Sequence, residues 1–311
     1  MIDILNVGIL QTTLDLNIAW SRGTHTLQMN EYEAKRIWDE IKKGFVNFNS
    51  LSPDKKPKII LLPEFSLPLH YEQELVNLSK SIGSVVIAGK DFITTESTDR
   101  TVKFVENKAV VIVPQNWPED KPSFNASKFY FGKSFFSNLE LDFFKPNFEA
   151  KKNLSMYILN AGAYGNIGVA ICADFFDIER FVIYKGRIHH LFVIAYNKDV
   201  NSFYFLAEAI SRLVYCNVVI CNTGYYGGSI SFSPYNESYK RYIYKHEGSK
   251  LFTSQVISLP VETLDLSQKK VEFKIFKSAP PQYTQKTIFP PMYNDRTVIE
   301  RSLNPPAGAV L

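Results

Sequence analysis

Residues 166–177 read NIGVAICADFFD. Ile167 to Ile171 is an uncharged apolar run of strand length, and it stops at Cys172, with Asp174 and Asp177 just beyond. A thiol at a strand-to-helix turn is presented at the edge of a sheet. A following helix aims backbone N–H groups and a positive dipole at the sulfur, which lowers a thiol pKa. Taken alone, the stretch also fits a core cysteine acting as a small hydrophobe.

Working outward, residues 58–68 read KIILLPEFSLP. A second buried strand runs into Pro63-Glu64, placing a carboxylate where α/β enzymes collect their site residues; a solvated loop Glu is the plainer alternative. Residues 127–140 read SKFYFGKSFFSNLE. Lys128 and Lys133 lie among aromatic residues, where partial desolvation shifts a lysine pKa; taken alone, two ordinary surface lysines are the plainer reading.

The rest of the chain alternates short apolar runs with helical patterns. Strands are expected at Ile4–Leu10, Lys58–Leu62, Ser84–Ala88, Met156–Leu159, Ile167–Ile171, His190–Tyr196 and Val218–Asn222. Ser229–Ser233 and Phe252–Leu259 are expected to close the sheet, and Thr101–Val113 to form a hairpin turning near Glu106-Asn107. Glu33–Phe48 is read as a helix with Ile37, Ile41, Phe45 and Phe48 on one stripe. Glu72–Ile82 and Phe203–Cys216 are read as two more. This rhythm argues for an α/β layered domain with a mixed sheet or two sheets.

The 311 residues, 45% of them hydrophobic, suffice for one large core or two ordinary ones. Nothing divides the chain before 275, so one domain over 1–274 is expected. Pro280-Pro281, Pro290-Pro291 and Pro305-Pro306 mark 275–311 as an extended proline-rich C-terminal extension that is not a helix. The opening residues lack a basic n-region, and no apolar run nears the roughly 20 residues that span a bilayer. A soluble protein is expected. Three cysteines (Cys172, Cys216 and Cys221) cannot all pair with one another, which favours a reducing, cytoplasmic setting. Their spacing and the lack of a nearby histidine pair argue against zinc. The net charge of +4 neither demands nor excludes an acidic partner. Gly132-Lys133-Ser134 ends like a phosphate loop, but the glycine required five residues before Gly132 is Ser127.

Glu64, a lysine near 130 and Cys172, in that order, resemble the Glu–Lys–Cys triad of the carbon–nitrogen hydrolase (nitrilase) superfamily. Leu62-Pro63-Glu64-Phe65 and Gly168-Val169-Ala170-Ile171-Cys172-Ala173-Asp174 are similar to its general-base and nucleophile segments. Gln11 at the end of the first strand, Asn222-Thr223-Gly224, Gly227-Gly228-Ser229 and Pro234 are similar to its flanking signatures. The resemblance covers roughly residues 4–265. Lys133, followed by Ser137 and Glu140, resembles the family's Lys-x-x-x-Ser/Thr-x-x-Glu pattern and is preferred; Lys128 is the alternative. Departures from the pattern fall at Ala173-Asp174-Phe175-Phe176-Asp177 and after Pro234, around the substrate pocket.

The resemblance implies a four-layer α-β-β-α sandwich of the nitrilase type, commonly dimeric through its helical faces. It implies Glu64 as general base, Cys172 as nucleophile forming a thioester, and Lys133 with the backbone N–H of Ala173 as oxyanion stabilisers. Glu140 would help position substrate, and neither metal nor organic cofactor is required. Amide hydrolysis is the default over nitrile hydrolysis or acyl transfer. A different class remains as alternative: the aromatic and basic stretch Tyr235 to His246 resembles a single-strand nucleic-acid surface on a fold kept for binding.

Overall fold

The computed structural model describes residues 1–20, 27–97, 102–269, 275–280, 283 and 296–304. Its first half runs β1 (Ile4–Gln11), α1 (Leu16–Ala19), α2 (Glu31–Asn49), β2 (Ile59–Leu67), α3 (Glu72–Ile82) and β3 (Val85–Lys90). Then come β4 (Ile93–Glu96), β5 (Lys103–Glu106), β6 (Lys108–Pro114), β7 (Ala126–Gly132), α4 (Asn138–Phe144) and β8 (Glu149–Ala150). The second half holds β9 (Met156–Asn160), β10 (Asn166–Ile171), α5 (Ile178–Tyr184), β11 (His190–Ala195), α6 (Val200–Ile210) and β12 (Asn217–Asn222). It ends with β13 (Ser229–Phe232), α7 (Ser238–Arg241), β14 (Tyr242–His246), β15 (Thr253–Pro260), α8 (Glu262–Gln268) and β16 (Val298–Ser302).

These strands form two large sheets, ordered β15-β1-β2-β3-β6-β7 and β14-β13-β12-β11-β10-β9-β16, and a small one, β4-β5-β8. Period-2 alternation sorts each central strand between two cores. Ile60, Leu62, Val86 and Ala88 pack against Ile37, Ile41, Phe45 and Phe48 of α2. Their neighbours Ile59, Leu61, Val85 and Ile87 face Val169, Ile171, Ile194 and Val219 of the second sheet. The far side of that sheet, with Ala170, Leu191, Val193 and Val218, is covered by Phe181, Tyr184, Phe203 and Ile210. The layers are therefore α-β-β-α, as expected.

Three local expectations are corrected. The hairpin over 101–113 does not form. β5 pairs with β4 and β8, whereas β6 pairs with β3 and β7. A single residue, Asn107, separates the two strands, too few for a two-residue hairpin loop, so the chain changes sheets there. Ser229–Ser233 and Phe252–Leu259 close different sheets, because β13 pairs with β12 and β15 with β1. The helix expected to end at Cys216 is α-helical only to Ile210 and finishes in a π-helical turn, Ser211–Tyr215.

Beyond the expected boundary at 274, Val298–Ser302 pairs in parallel with β9 and forms an edge of the second sheet. Phe276 stacks on Tyr235 at 4.7 Å, and Lys277 N donates to Pro234 O. Pro281, Pro290-Pro291 and Pro305-Pro306 lie outside the described residues. Among the described residues, no helix is long and apolar enough to cross a membrane.

Candidate active site

The parallel strands β2, β10 and β11 end side by side on facing sheets, and the chemistry collects at those ends. β2 is buried along its whole length, and its pairing with β3 shifts between Leu62 and Leu67. Pro63 offers no N–H to the ladder, and Phe65 has a φ of +63°, so the backbone kinks and throws the Glu64 carboxylate out of the ladder. Gly89 permits this: a Cβ there would lie 2.4 Å from Glu64 Cα and 2.7 Å from Pro63 O.

Glu64 is 1% exposed. Its Oε1 accepts from Asn107 Nδ2 at 2.7 Å and from Lys133 Nζ at 2.8 Å, and its Oε2 accepts from Tyr196 N at 3.0 Å. Burial raises its pKa, against the pull of Lys133.

Lys133 follows β7 directly, and its N–H donates to Asn107 O at 2.9 Å. Its ammonium, 1% exposed, also lies 2.8 Å from each oxygen of Glu140. The Lys-x-x-x-Ser-x-x-Glu spacing has a physical cause. Ser137 is the N-cap of α4 and Glu140 its third residue, and the two form a reciprocal capping box. The box fixes the Glu140 carboxylate at the start of α4, where it meets Lys133. Burial opposes the charge on Lys133, but Glu64 and Glu140 overcome it and hold the pKa above the ordinary lysine value. Lys128 stands apart, half exposed on β7 and paired with Glu72 at 2.6 Å. The structure thus brings Lys133, not Lys128, to Glu64.

Cys172 follows β10 directly with a φ of +46°, a conformation that costs a non-glycine residue on the order of 1–3 kcal/mol and recurs at functional turns. Its Sγ lies 3.8 Å from Tyr196 O. The helix expected to follow is a 3₁₀ turn, Cys172–Phe176, too short for a strong dipole. Accordingly the thiol pKa is raised well above its usual value by burial and by Glu64, with Lys133 opposing. Ala173, whose N–H is the expected oxyanion donor, is the second residue of that turn.

Asp174, 1% exposed, accepts from Ser134 N at 3.0 Å and Phe135 N at 2.9 Å. It thereby locks the segment after the lysine to the segment after the cysteine. Arg180 lies 3.4 Å from the same carboxylate and donates to Val169 O and Ser134 Oγ. Aromatic rings wall the site. Phe65 meets Trp20 at 5.3 Å, Phe92 at 4.6 Å and Tyr196 at 6.4 Å, and Tyr196 meets Tyr226 at 5.5 Å. Two clefts of about 810 and 440 Å³ lie elsewhere and include none of the site residues.

The flanking signatures are structural. Ser229 Oγ donates to Gln11 Oε1 at 2.5 Å, tying the sheets together. Asn222 Nδ2 donates to Asn197 O and Gly227 O, which fixes the loop after Tyr196. In the 235–246 stretch, Lys240, Arg241 and Lys245 pair with Glu237, Glu208 and Glu247, which opposes a phosphate-tracking surface. No cluster of His, Cys, Asp or Glu fit to hold a metal occurs among the described residues.

Sequence reasoning missed Asn107, read only as a turn, and the Tyr196 peptide. Tyr196 follows directly on a buried strand, the same signal that found Glu64 and Cys172. Asn107 gives no such signal, because its role arises from a change of sheet.

The two layered sheets and their helices define a nitrilase-type fold. The chain is similar in structure to a mutant of the amidase from Nesterenkonia sp. AN1 that carries the acetamide moiety of fluoroacetamide on its active-site cysteine. The TM-score is 0.56 at 11% identity, over 82% of this chain and 90% of that one. It is similar to Saccharomyces cerevisiae Nit3, of branch 10 of the nitrilase superfamily, with TM-score 0.57, 14% identity, and 92% and 97% coverage. A carbon–nitrogen hydrolase superfamily protein from Xanthomonas campestris with an arsenic adduct in its active site gives 0.59, 10% identity, and 93% and 99%. No protein-family model and no curated protein matches the sequence.

Proposed function

We propose that the chain hydrolyses non-peptide carbon–nitrogen bonds, amides first, with Cys172 as nucleophile. The observation that carries this reading is the Glu64–Lys133–Glu140 cluster around a buried ammonium, linked through 2.8 Å contacts, beside a cysteine held at positive φ just after a strand. A lone buried lysine or carboxylate has many structural explanations. A buried and a partly buried carboxylate on one buried ammonium, next to a thiol, have few. A mutant of the amidase from Nesterenkonia sp. AN1, which shares the fold, carries the acetamide moiety of fluoroacetamide on its active-site cysteine, in keeping with a reactive thiol in this position.

In the proposed cycle Cys172 attacks the amide carbon as its proton passes to Glu64. Burial raises both pKa values, which favours transfer of the proton together with the attack. The new oxyanion is met by the Lys133 ammonium and the Ala173 N–H. Glu64 passes the proton to the nitrogen, the C–N bond breaks, and the amine leaves a thioester. Water then gives a proton to Glu64 and adds to the thioester carbon, and the C–S bond breaks as the proton returns to sulfur. Glu140 keeps Lys133 charged and positions substrate. No step needs a cofactor.

We assign the hydrolase domain to residues 1–274, with the described part of 275–311 laid against it, working in the reducing cytoplasm. A homodimer forms through the α5–α6 face, in this reading, because Phe176, Ile178, Phe205 and Leu213 are more than half exposed there.

The test is alkylation of each cysteine by iodoacetamide near pH 7, read by peptide mass spectrometry, followed by ammonia release from an amide panel and a nitrile panel. Cys172 reacts much faster than the buried Cys216 and Cys221, and Glu64→Gln abolishes ammonia release. Equal inertness of all three cysteines, or full turnover by Cys172→Ala, overturns the proposal. Hydroxylamine in the assay separates acyl transfer from hydrolysis.

A further inference from the structure

We infer that Arg296, from the C-terminal segment, is a positioning residue of the site, so that the segment following the hydrolase domain holds the nucleophile and lysine segments together. The inference rests on the proposed function only in calling those segments catalytic.

Four side chains form a compact charged cluster behind Cys172. Asp174 and Asp177 are buried, and Arg180 is 3% exposed. Arg180 pairs with both carboxylates, its Nη2 3.4 Å from Asp174 and its Nε 3.6 Å from Asp177. One guanidinium shared between two buried carboxylates leaves a negative charge without a second cation, which is costly. Arg296 supplies that cation. Its Nη1 bonds Asp177 Oδ2, and its Nε lies 3.0 Å from Glu179 Oε2. Its guanidinium also lies over the Phe135 ring at 5.2 Å, a favourable stacking contact.

Arg296 therefore touches both segments at once. Asp177 and Glu179 follow the nucleophile, and Phe135 lies two residues beyond Lys133. Asp174 joins the same two segments from inside, through the Ser134 and Phe135 N–H groups. The arginine is held in turn by its own chain, since Thr297 O accepts from Met156 N and β16 pairs with β9. The path from the C-terminal segment to the lysine is thus continuous: β16, Arg296, Phe135, Lys133. Lysine in place of Arg296 keeps the charge but loses the planar fork and the ring contact.

The experiment uses the full chain with Arg296→Ala, Arg296→Lys and, as a control, Arg301→Ala, an exposed change on β16, the strand that follows Arg296. Hydrogen exchange is read on peptides covering 130–140, and the pH profile of Cys172 alkylation is recorded. In Arg296→Ala, exchange at Ser134 and Phe135 rises about 10-fold or more, and the rise of alkylation with pH moves upward as Lys133 loosens. Arg296→Lys is intermediate, and Arg301→Ala matches the unaltered protein. Unchanged exchange and profile in a folded Arg296→Ala overturn the inference. If that variant does not fold, an Arg296→Lys identical to the unaltered protein overturns it. An inert Cys172 in the unaltered protein, together with the exchange response, rejects the hydrolase reading and retains the positioning role.

Discussion

The Asn107 amide donates to Glu64 Oε1 at 2.7 Å, while the Asn107 carbonyl accepts from the Lys133 N–H at 2.9 Å. One residue, at the point where the chain leaves the small sheet for the large one, fixes the carboxylate by its side chain and the lysine by its backbone. A hydrogen bond to a charged group contributes about 1.5–3 kcal/mol. Asn107→Ala is therefore expected to lower turnover about 10- to 100-fold with the fold intact. Steady-state kinetics with circular dichroism checks this; turnover equal to the unaltered protein sinks the assignment.

The two lysines should separate cleanly. Lys133→Ala leaves Glu64 and Glu140 facing each other without a cation. Breaking a buried pair costs about 3–5 kcal/mol, and losing an oxyanion donor costs about 100- to 1000-fold in rate. Lys128→Ala removes a half-exposed pair, for which about 0–1 kcal/mol is typical, and turnover stays within about 2-fold. Urea unfolding and ammonia release on both variants provide the comparison.

Gly89→Ala tests the kink from below. The added Cβ meets backbone at 2.4 and 2.7 Å, so Glu64 must move. The expected result is a loss of about 1–3 kcal/mol and a large drop in turnover, measured by denaturation and by assay. A variant of normal activity would show that the Glu64 kink is not needed.

Asp91 sets a pH dependence of stability. Burial pushes its carboxyl up to about 7, although Trp20 Nε1, Met29 N and Phe92 N donate to it. The folded state thus keeps a proton that the unfolded chain releases near pH 4. The contribution is fully present below about pH 4 and is lost as pH rises through about 7. Urea midpoints between pH 4.5 and 8 should decline in the unaltered protein and much less in Asp91→Asn. That variant is less stable overall, because Met29 N–H then faces an amide NH₂. Parallel pH slopes would refute the assignment.

The sequence carried the strands and the site carboxylate and thiol because each ends an apolar run, and apolar runs are what burial writes into a chain. Ser137 and Glu140 were legible for a similarly local reason: a capping box has fixed spacing. Partnership between strands was not legible. The Lys103–Glu106 and Lys108–Pro114 runs look alike whether they pair together or join different sheets, so the hairpin reading failed and Asn107 went unnoticed. Arg296 was invisible too, since its partners lie more than a hundred residues away and no periodicity links them.

The Tyr196 peptide donates its N–H to Glu64 and offers its carbonyl to Cys172, while its ring points to Leu14 O, Phe65 and Tyr226. Main-chain groups survive every replacement except proline at the donating position. Evolution is thus free to vary the ring at 196, and with it the wall of the pocket, without altering the spacing of acid and sulfur. One residue thus carries two separable roles, one held by the backbone and one open to change in the side chain.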